Sequence, residues 1–281
     1  MQRSRQDSGI LRAMSFLTRL RVEPGQRVHL PRIDPAGTPG ARHKTAALAE
    51  LEKNDAKLFD LQYRLYAEHR RALLIVLQGP DASGKDGTIR HVTRGINPQG
   101  CRVTSFKAPT QEELGHDYLW RIVKALPARG EVGIFNRSHY EDVLVVRVHE
   151  LVPKSEWRKR YDQINAFEKH LSENGTTILK FCLHVSREEQ ARRLRDRIED
   201  ATKNWKINPE DFKEARRWAE YREAYEDALS LCSTPWAPWF VIPADHKWYR
   251  NLAVSRIVME TLADMKPRFP KPKIDLKTLR A

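Results

Sequence analysis

Apolar positions recur along the chain with two different periods. Between Thr45 and Arg71, leucines stand at positions 48, 51, 58, 61 and 65, in steps of three, four and seven, with charges between them. That spacing predicts an amphipathic helix. Directly after it, Ala72–Leu77 is an unbroken apolar run closed by Gln-Gly-Pro, the pattern of a strand buried on both faces of a parallel sheet. Further strands are predicted at Arg102–Phe106, Val132–Phe135, Thr177–Val185 and Trp239–Ile242. Helical patterns separate them near Lys85–Gly95, Gln111–Leu126, Ser155–Glu173, Arg187–Ile198, Glu210–Leu231 and Lys247–Met265. Strands alternating with helices imply βαβ units, and so an α/β fold in three layers: a parallel five-stranded sheet flanked by helices.

The two ends break this pattern. Residues 1–43 carry Pro24, Pro31, Pro35, Pro39, Gly25, Gly37 and Gly40 among scattered arginines and read as an irregular N-terminal arm, with Met14 an alternative start. Residues 267–281 read as a Pro- and Lys-rich surface tail. No apolar run approaches the roughly 18 residues that cross a bilayer. Leu11–Leu20 is interrupted by Arg12 and Arg19, and no small-residue cleavage site follows it. A cytoplasmic protein with no membrane partner is expected. Cys101, Cys182 and Cys232 are widely spaced, which argues against a disulfide framework or thiolate zinc site.

Fifty Lys and Arg against 37 Asp and Glu give a formal charge of +13. Such a surface suits an anionic partner: nucleic acid, a membrane surface or a phosphate-rich substrate. Charge alone does not choose among them.

The strand ending at Leu77 runs into Gly79-Pro-Asp-Ala-Ser-Gly-Lys85, spaced G-x-x-x-x-G-K, with a helix predicted next. Such a turn aims backbone N–H groups at phosphate oxygens, the helix adds its positive end, and the lysine adds a full charge. Gly79, Ala82, Ser83, Gly84, Lys85, Asp86 and Gly87 are the phosphate-binding candidates. Asp86 stands where Ser or Thr would ordinarily ligate Mg2+. Asp81 inside the loop would repel phosphate unless a metal or an incoming hydroxyl lay between, which makes it the candidate for Mg2+ or for orienting the acceptor.

The strand Val132–Phe135 ends in Asn136-Arg-Ser-His-Tyr-Glu-Asp142. Arg137 is a phosphate clamp candidate and Glu141 a second metal candidate; Asn136 takes the place of the usual terminal carboxylate. Ser138 with Glu141 also fits a capping box. His139 beside that cap reads as a positioned hydrogen-bonding group rather than a phosphohistidine, since in-line transfer needs no covalent intermediate. Further on, Arg193 and Arg197 share a helix face, and Lys203-Asn-Trp-Lys206 interrupts the helical pattern before Asn208-Pro209. A basic, hinged segment over about 190–215 predicts a lid that closes on phosphates.

Taken together, GPDASGKDGTIR (79–90), FNRSHYEDV (135–143), KNWKINPEDF (203–212) and APWFVIPADHK (237–247) resemble the second family of polyphosphate kinases, over about Thr45 to Met265. The resemblance implies a P-loop kinase-like domain over 44–266 and reversible, Mg2+-dependent phosphoryl transfer between inorganic polyphosphate and AMP or ADP, with ATP as a product. It implies that Asp81, Gly84 and Lys85 belong to the family's phosphate loop, where Asp at position 86 is ordinary. Asn136 and Arg137 match its second motif, in the form of the subgroup that accepts both AMP and ADP, and Arg193, Arg197, Lys203 and Lys206 fall in its lid. His246 interrupts what is often an Asp-Lys pair, here Asp245 and Lys247. A homodimer or tetramer is also implied. The catalytic set expected is Asp81, Lys85, Asn136, Arg137 and Glu141. Two rivals stand beside this reading: an ATP-dependent nucleoside monophosphate or small-molecule kinase on the same fold, and a basic nucleic-acid-binding protein. The second lacks any recognisable reading motif, so no nucleic-acid partner is expected.

Overall fold

The computed structural model describes residues 15–274 and 279. Residues 1–14, 275–278 and 280–281 lie outside the described residues, and with them the alternative start at Met14 and most of the end of the tail.

Five strands form one sheet: β1 (Ala72–Gln78), β2 (Cys101–Ser105), β3 (Val132–Asn136), β4 (Thr176–His184) and β5 (Trp239–Pro243). All neighbours run parallel, in the order β2-β3-β1-β4-β5. Each strand falls within one or two residues of its expected place. Apart from single-turn segments, the helices are α1 (Lys44–Glu68), α2 (Lys85–Val92), α3 (Trp120–Ala125), α4 (Lys154–Glu173), α5 (Arg187–Glu199), α6 (Pro209–Glu214), α7 (Trp218–Cys232) and α8 (Lys247–Met265).

The unbroken apolar runs are explained by burial on both faces. On β1, Leu73, Ile75 and Leu77 join one core cluster with Leu51, Leu58 and Leu65 of α1 and Leu252, Ile257 and Leu262 of α8. Leu74 and Val76 point the other way, into a cluster with Trp157, Tyr161 and Ile164 of α4 and Ala224, Ala228 and Leu229 of α7. Side chains that alternate on a central strand thus serve two helical layers.

Two expected helices are divided. The stretch 111–126 becomes a turn at Gln111–Leu114 and then α3, because Gly115 ends the first and the Asp117 carboxylate accepts from the Leu119 amide at 2.9 Å, starting a new turn. The stretch 210–231 becomes α6, a 3-10 turn at Ala215–Arg217, and α7. At that break Arg217 reaches out to the Val148 carbonyl at 2.7 Å.

Residues 15–43 hold only helical turns at Phe16–Arg19 and Leu30–Arg32, yet Phe16, Leu20, Val22, Val28 and Leu30 are buried. Arg21 forms an isolated antiparallel bridge with Phe240: the Val22 amide donates to Trp239 O and the Val241 amide to Leu20 O, both at 2.9 Å. This segment covers the outer edge of β5, which would otherwise present unpaired backbone groups.

Candidate active site: the phosphate loop and the crevice beside it

Strand order reverses around β1, with β3 on one side and β4 on the other, so a crevice opens at their C-terminal ends. The register sets Leu77 level with Asn136. Both expected motifs therefore leave the sheet side by side, and the Arg137 amide donates to Leu77 O at 3.0 Å.

The loop's backbone needs its special residues. Gly84 has φ +105°, and a Cβ there would stand 1.9 Å from Arg250 Nη1. Gly79 has φ +147°, and a Cβ would meet Leu183 O at 2.8 Å. Ala82 and Arg137 are also left-handed, at +61° and +64°, a strain that clusters at functional sites. Lys85 opens α2 and is nearly buried; its Nζ donates to Gly79 O at 2.7 Å and Pro80 O at 3.2 Å. Burial lowers its pKa, with Asp81 opposing.

Across the crevice, Arg137 Nη2 donates to Asp81 Oδ1 at 2.7 Å, and its Nη1 lies 3.7 Å from Glu141 Oε2. Burial works against the guanidinium charge, but Glu141 and Asp81 outweigh it and hold the pKa above its ordinary value. Burial likewise pushes the Glu141 carboxyl up, with Arg137 and Lys85 opposing. Asn136 Nδ2 donates to Asp86 Oδ1 at 2.9 Å, tying the two motifs together a second time. Of the expected catalytic set, Asp81, Arg137 and Glu141 line one cavity with Gly79 and Pro80. Lys85 lies directly behind it.

The capping box expected at Ser138 forms only in part. Ser138 Oγ accepts from the Tyr140 amide at 3.2 Å, while the Glu141 carboxylate faces Arg137 and the cavity. His139 is 1% exposed and bonded through Nε2 to Glu168 Oε1 at 3.1 Å, on the core side. Glu168 also accepts from Tyr140 Oη at 2.9 Å and from Lys180 Nζ at 2.5 Å; Lys180 donates further to Tyr140 Oη and Cys232 O, both at 2.7 Å. Nothing in the one-dimensional pattern marked Glu168 or Lys180, because each looks like an ordinary charged residue in its own element.

The four cations placed in the lid behave differently from one another, and none lines the cavity. Arg193 is 7% exposed and lies beneath the loop. Its Nη1 donates to Ala82 O at 3.1 Å and Ser83 O at 2.8 Å, and its Nη2 to Ala244 O at 2.6 Å and Asp245 O at 3.0 Å. It braces the phosphate loop against the turn after β5, instead of projecting from a lid. Arg197 is held by Asp211 at 2.6 Å, Lys203 by Asp200 at 2.7 Å, and Lys206 stands over the Trp205 ring at 4.9 Å. Asp245, the acidic member of the interrupted Asp-Lys pair, accepts from the Ser186 amide at 2.8 Å and so fixes the turn after β4. Behind the loop Arg250 donates to Ser83 O at 3.4 Å, and burial, together with the nearby Arg193 charge, lowers its pKa to about 10.

The remaining cavity wall is Val145, Gln190, Glu214, Ala215, Trp218, Tyr221 and Tyr225. Trp218, Tyr221 and Tyr225 fall three and four residues apart on α7, a visible spacing that reads equally as core. Gln190 Nε2 donates to Asp81 O at 3.0 Å. The cavity measures about 40 Å3, far below the roughly 300–1,000 Å3 of small-molecule sites. Mg2+ is ordinarily held by one or two carboxylates together with substrate phosphates and water. Asp81 and Glu141 on one cavity wall fit that donor set. Among the described residues no cluster of three or more His, Cys, Asp or Glu forms a metal site independent of substrate. Nor, among them, is any helix long and apolar enough to cross a membrane.

A parallel sheet, a glycine-rich loop opening a helix, and an Arg-carboxylate pair at the neighbouring strand end define a P-loop kinase-like protein. The family model described as Polyphosphate kinase 2 matches residues 41–270, and the chain belongs to that family. The AMP/ADP-polyphosphate phosphotransferase of Meiothermus ruber is 50% identical over 258 residues, 92% of this chain and 97% of that protein. The ADP-polyphosphate phosphotransferase of Rhodopseudomonas palustris is 45% identical, with 89% and 91% covered. The crystal structure of polyphosphate kinase 2 from Arthrobacter aurescens superposes with a TM-score of 0.90 at 43% identity, covering 94% of each chain.

Proposed function

We propose that this chain transfers phosphoryl groups reversibly between inorganic polyphosphate and AMP or ADP. The observation that carries this reading is the meeting of Lys85, the Asp81–Arg137 pair and Glu141 at one strand-end crevice. It occurs in a chain whose relatives at 50% and 45% identity are named for transfer between polyphosphate and AMP/ADP or ADP.

On this reading, Lys85 exchanges the carbonyls of Gly79 and Pro80 for the transferring phosphate, joined by the loop amides from Ala82 to Gly87. Arg137 exchanges Asp81 for the equatorial oxygens, and Asp81 is freed to orient the acceptor. Asp81 and Glu141 are the residues that would hold Mg2+, whose charge neutralises the phosphates. Catalysis is then positioning and electrostatic stabilisation, with no covalent work by the protein. With so small a cavity, substrate entry would need the 209–217 segment to move, and Arg197, Lys203 and Lys206, which do not line the cavity, would reach the polyanion only through an accompanying shift of the 197–206 stretch. The same reading includes a cytoplasmic location and a homodimer or tetramer, the latter measurable by light scattering.

Incubation of the purified chain with ADP, Mg2+ and polyphosphate, without ATP, should yield ATP; AMP as acceptor should yield ADP. Lys85→Ala should lower turnover by at least about 100-fold with an unchanged circular dichroism spectrum. No ATP from ADP and polyphosphate would favour the ATP-dependent kinase. Saturable RNA or DNA binding without transfer would favour the nucleic-acid protein.

A further inference from the structure

A second cavity, of about 480 Å3, lies between the N-terminal arm and the outer edge of β5. Among the described residues, none lines both this cavity and the one at the phosphate loop. Its buried wall is apolar: Val22 and Val28 from the arm, Val241 and Pro243 from β5. Its solvent side is cationic, lined by Arg19, Arg21, Arg27 and Arg32 with His29, against one carboxylate among the described residues, that of Asp34. That carboxylate is already engaged, accepting from the Ala36 amide at 2.9 Å. Arg21 supplies an independent sign of a missing partner. Its Nε is buried and has no hydrogen-bond partner among the described residues, although the side chain as a whole is 30% exposed and forms a long ion pair with Glu23 Oε2 at 3.9 Å. An N–H without a hydrogen-bond acceptor on the wall of a cationic cavity is a donor that an anion seated there could engage.

We propose that this cavity binds an organic phosphate, with the phosphate groups on the guanidinium side and an apolar body on the Val22–Val28–Val241–Pro243 wall. Two features select this class. The volume matches a small-molecule site. Inorganic polyphosphate alone would satisfy the arginines yet leave the apolar wall in contact with charge, where burial gains nothing. The site lies outside the catalytic crevice, so it holds whichever acceptor the enzyme uses and is read without turnover.

The test uses ADP as the probe on the full chain, with adenosine and inorganic tripolyphosphate as control ligands. Calorimetric titration of the wild type should find one ADP beyond those bound by Arg27→Ala/Arg32→Ala. Both arginines are exposed, so the substitution leaves the packing intact. In that variant the extra site should weaken by at least about tenfold, while KM for ADP in the transfer assay stays within about twofold. Hydrogen exchange on the wild type provides a readout that needs no variant: ADP should protect amides in residues 21–34, adenosine should protect them weakly, and tripolyphosphate less than ADP. Equal ADP stoichiometry in both proteins, unchanged exchange over 21–34, or protection by tripolyphosphate as strong as by ADP would each overturn the proposal.

Discussion

Arg193→Ala separates two accounts of the same residue. As a lid cation, Arg193 would touch polyphosphate, and its loss would raise the polyphosphate KM with little effect on stability. The geometry assigns it instead to five charge-assisted hydrogen bonds. One goes to Glu189 at 2.7 Å, and four go to the carbonyls of Ala82, Ser83, Ala244 and Asp245 at 2.6 to 3.1 Å. Truncation leaves four buried carbonyls without this donor, while Glu189 keeps Arg192 at 2.7 Å; at roughly 1 kcal/mol for each stranded acceptor the cost is ~3–5 kcal/mol. At the ~2 °C per kcal/mol typical of a large domain, the melting temperature should fall by ~6–10 °C. The loop amides would lose their backing, and displacement on the ångström scale should lower kcat by ~100-fold while the polyphosphate KM moves far less. Arg193→Lys keeps the charge but cannot reach both carbonyl pairs at once, so it should recover only part of either loss. Differential scanning fluorimetry with steady-state kinetics reads both quantities. An Arg193→Ala protein that melts within about 2 °C of wild type and shows its defect only in polyphosphate KM would refute the brace.

Gly84→Ala must fit a Cβ 1.9 Å from Arg250 Nη1 at φ +105°, so it should cost both stability and turnover far more than Gly87→Ala, whose Cβ would meet Arg250 Nη2 at 3.1 Å; equal effects would contradict the packing. Lys180→Met leaves the fully buried Glu168 with only His139 and Tyr140 among the described residues, and should cost ~3–5 kcal/mol in a denaturant titration; a loss under about 1 kcal/mol would show that the Lys180–Glu168 pair contributes little to stability. Asp142, 13% exposed beside Arg160, has its pKa raised by burial to about 6, above the ~3.9 of an unfolded Asp. The folded state therefore holds that proton more tightly, and stability falls as pH rises from about 4 through 6. Relative to Asp142→Asn, the wild type should lose on the order of 2 kcal/mol between pH 4 and pH 7; parallel stability curves would refute it. The polyphosphate KM should rise steeply with added salt, as it does for polyanions gathered by cations; a flat response would count against contact with Arg197, Lys203 and Lys206.

The sequence alone determined the sheet and the two strand-end motifs. A strand buried on both faces must be apolar throughout, and Ala72–Leu77 shows no polar interruption. Loop geometry demands glycines at fixed spacing, and Gly79 and Gly84 occupy positive-φ positions. Backbone chemistry of this kind is local, so it is written in consecutive residues. Only the tertiary structure decided where the long charged side chains go. Arg193 and Arg197 share a helix and a charge, yet one is buried under the loop and the other is clasped by Asp211. Glu168 and Lys180 meet His139 and Tyr140 behind the second motif, and Arg21 faces a cavity closed by β5. A guanidinium or ammonium on a flexible stem finds its partner among groups far away in the chain, and burial sets its energy. Neither the partner nor the burial exists until the layers have packed.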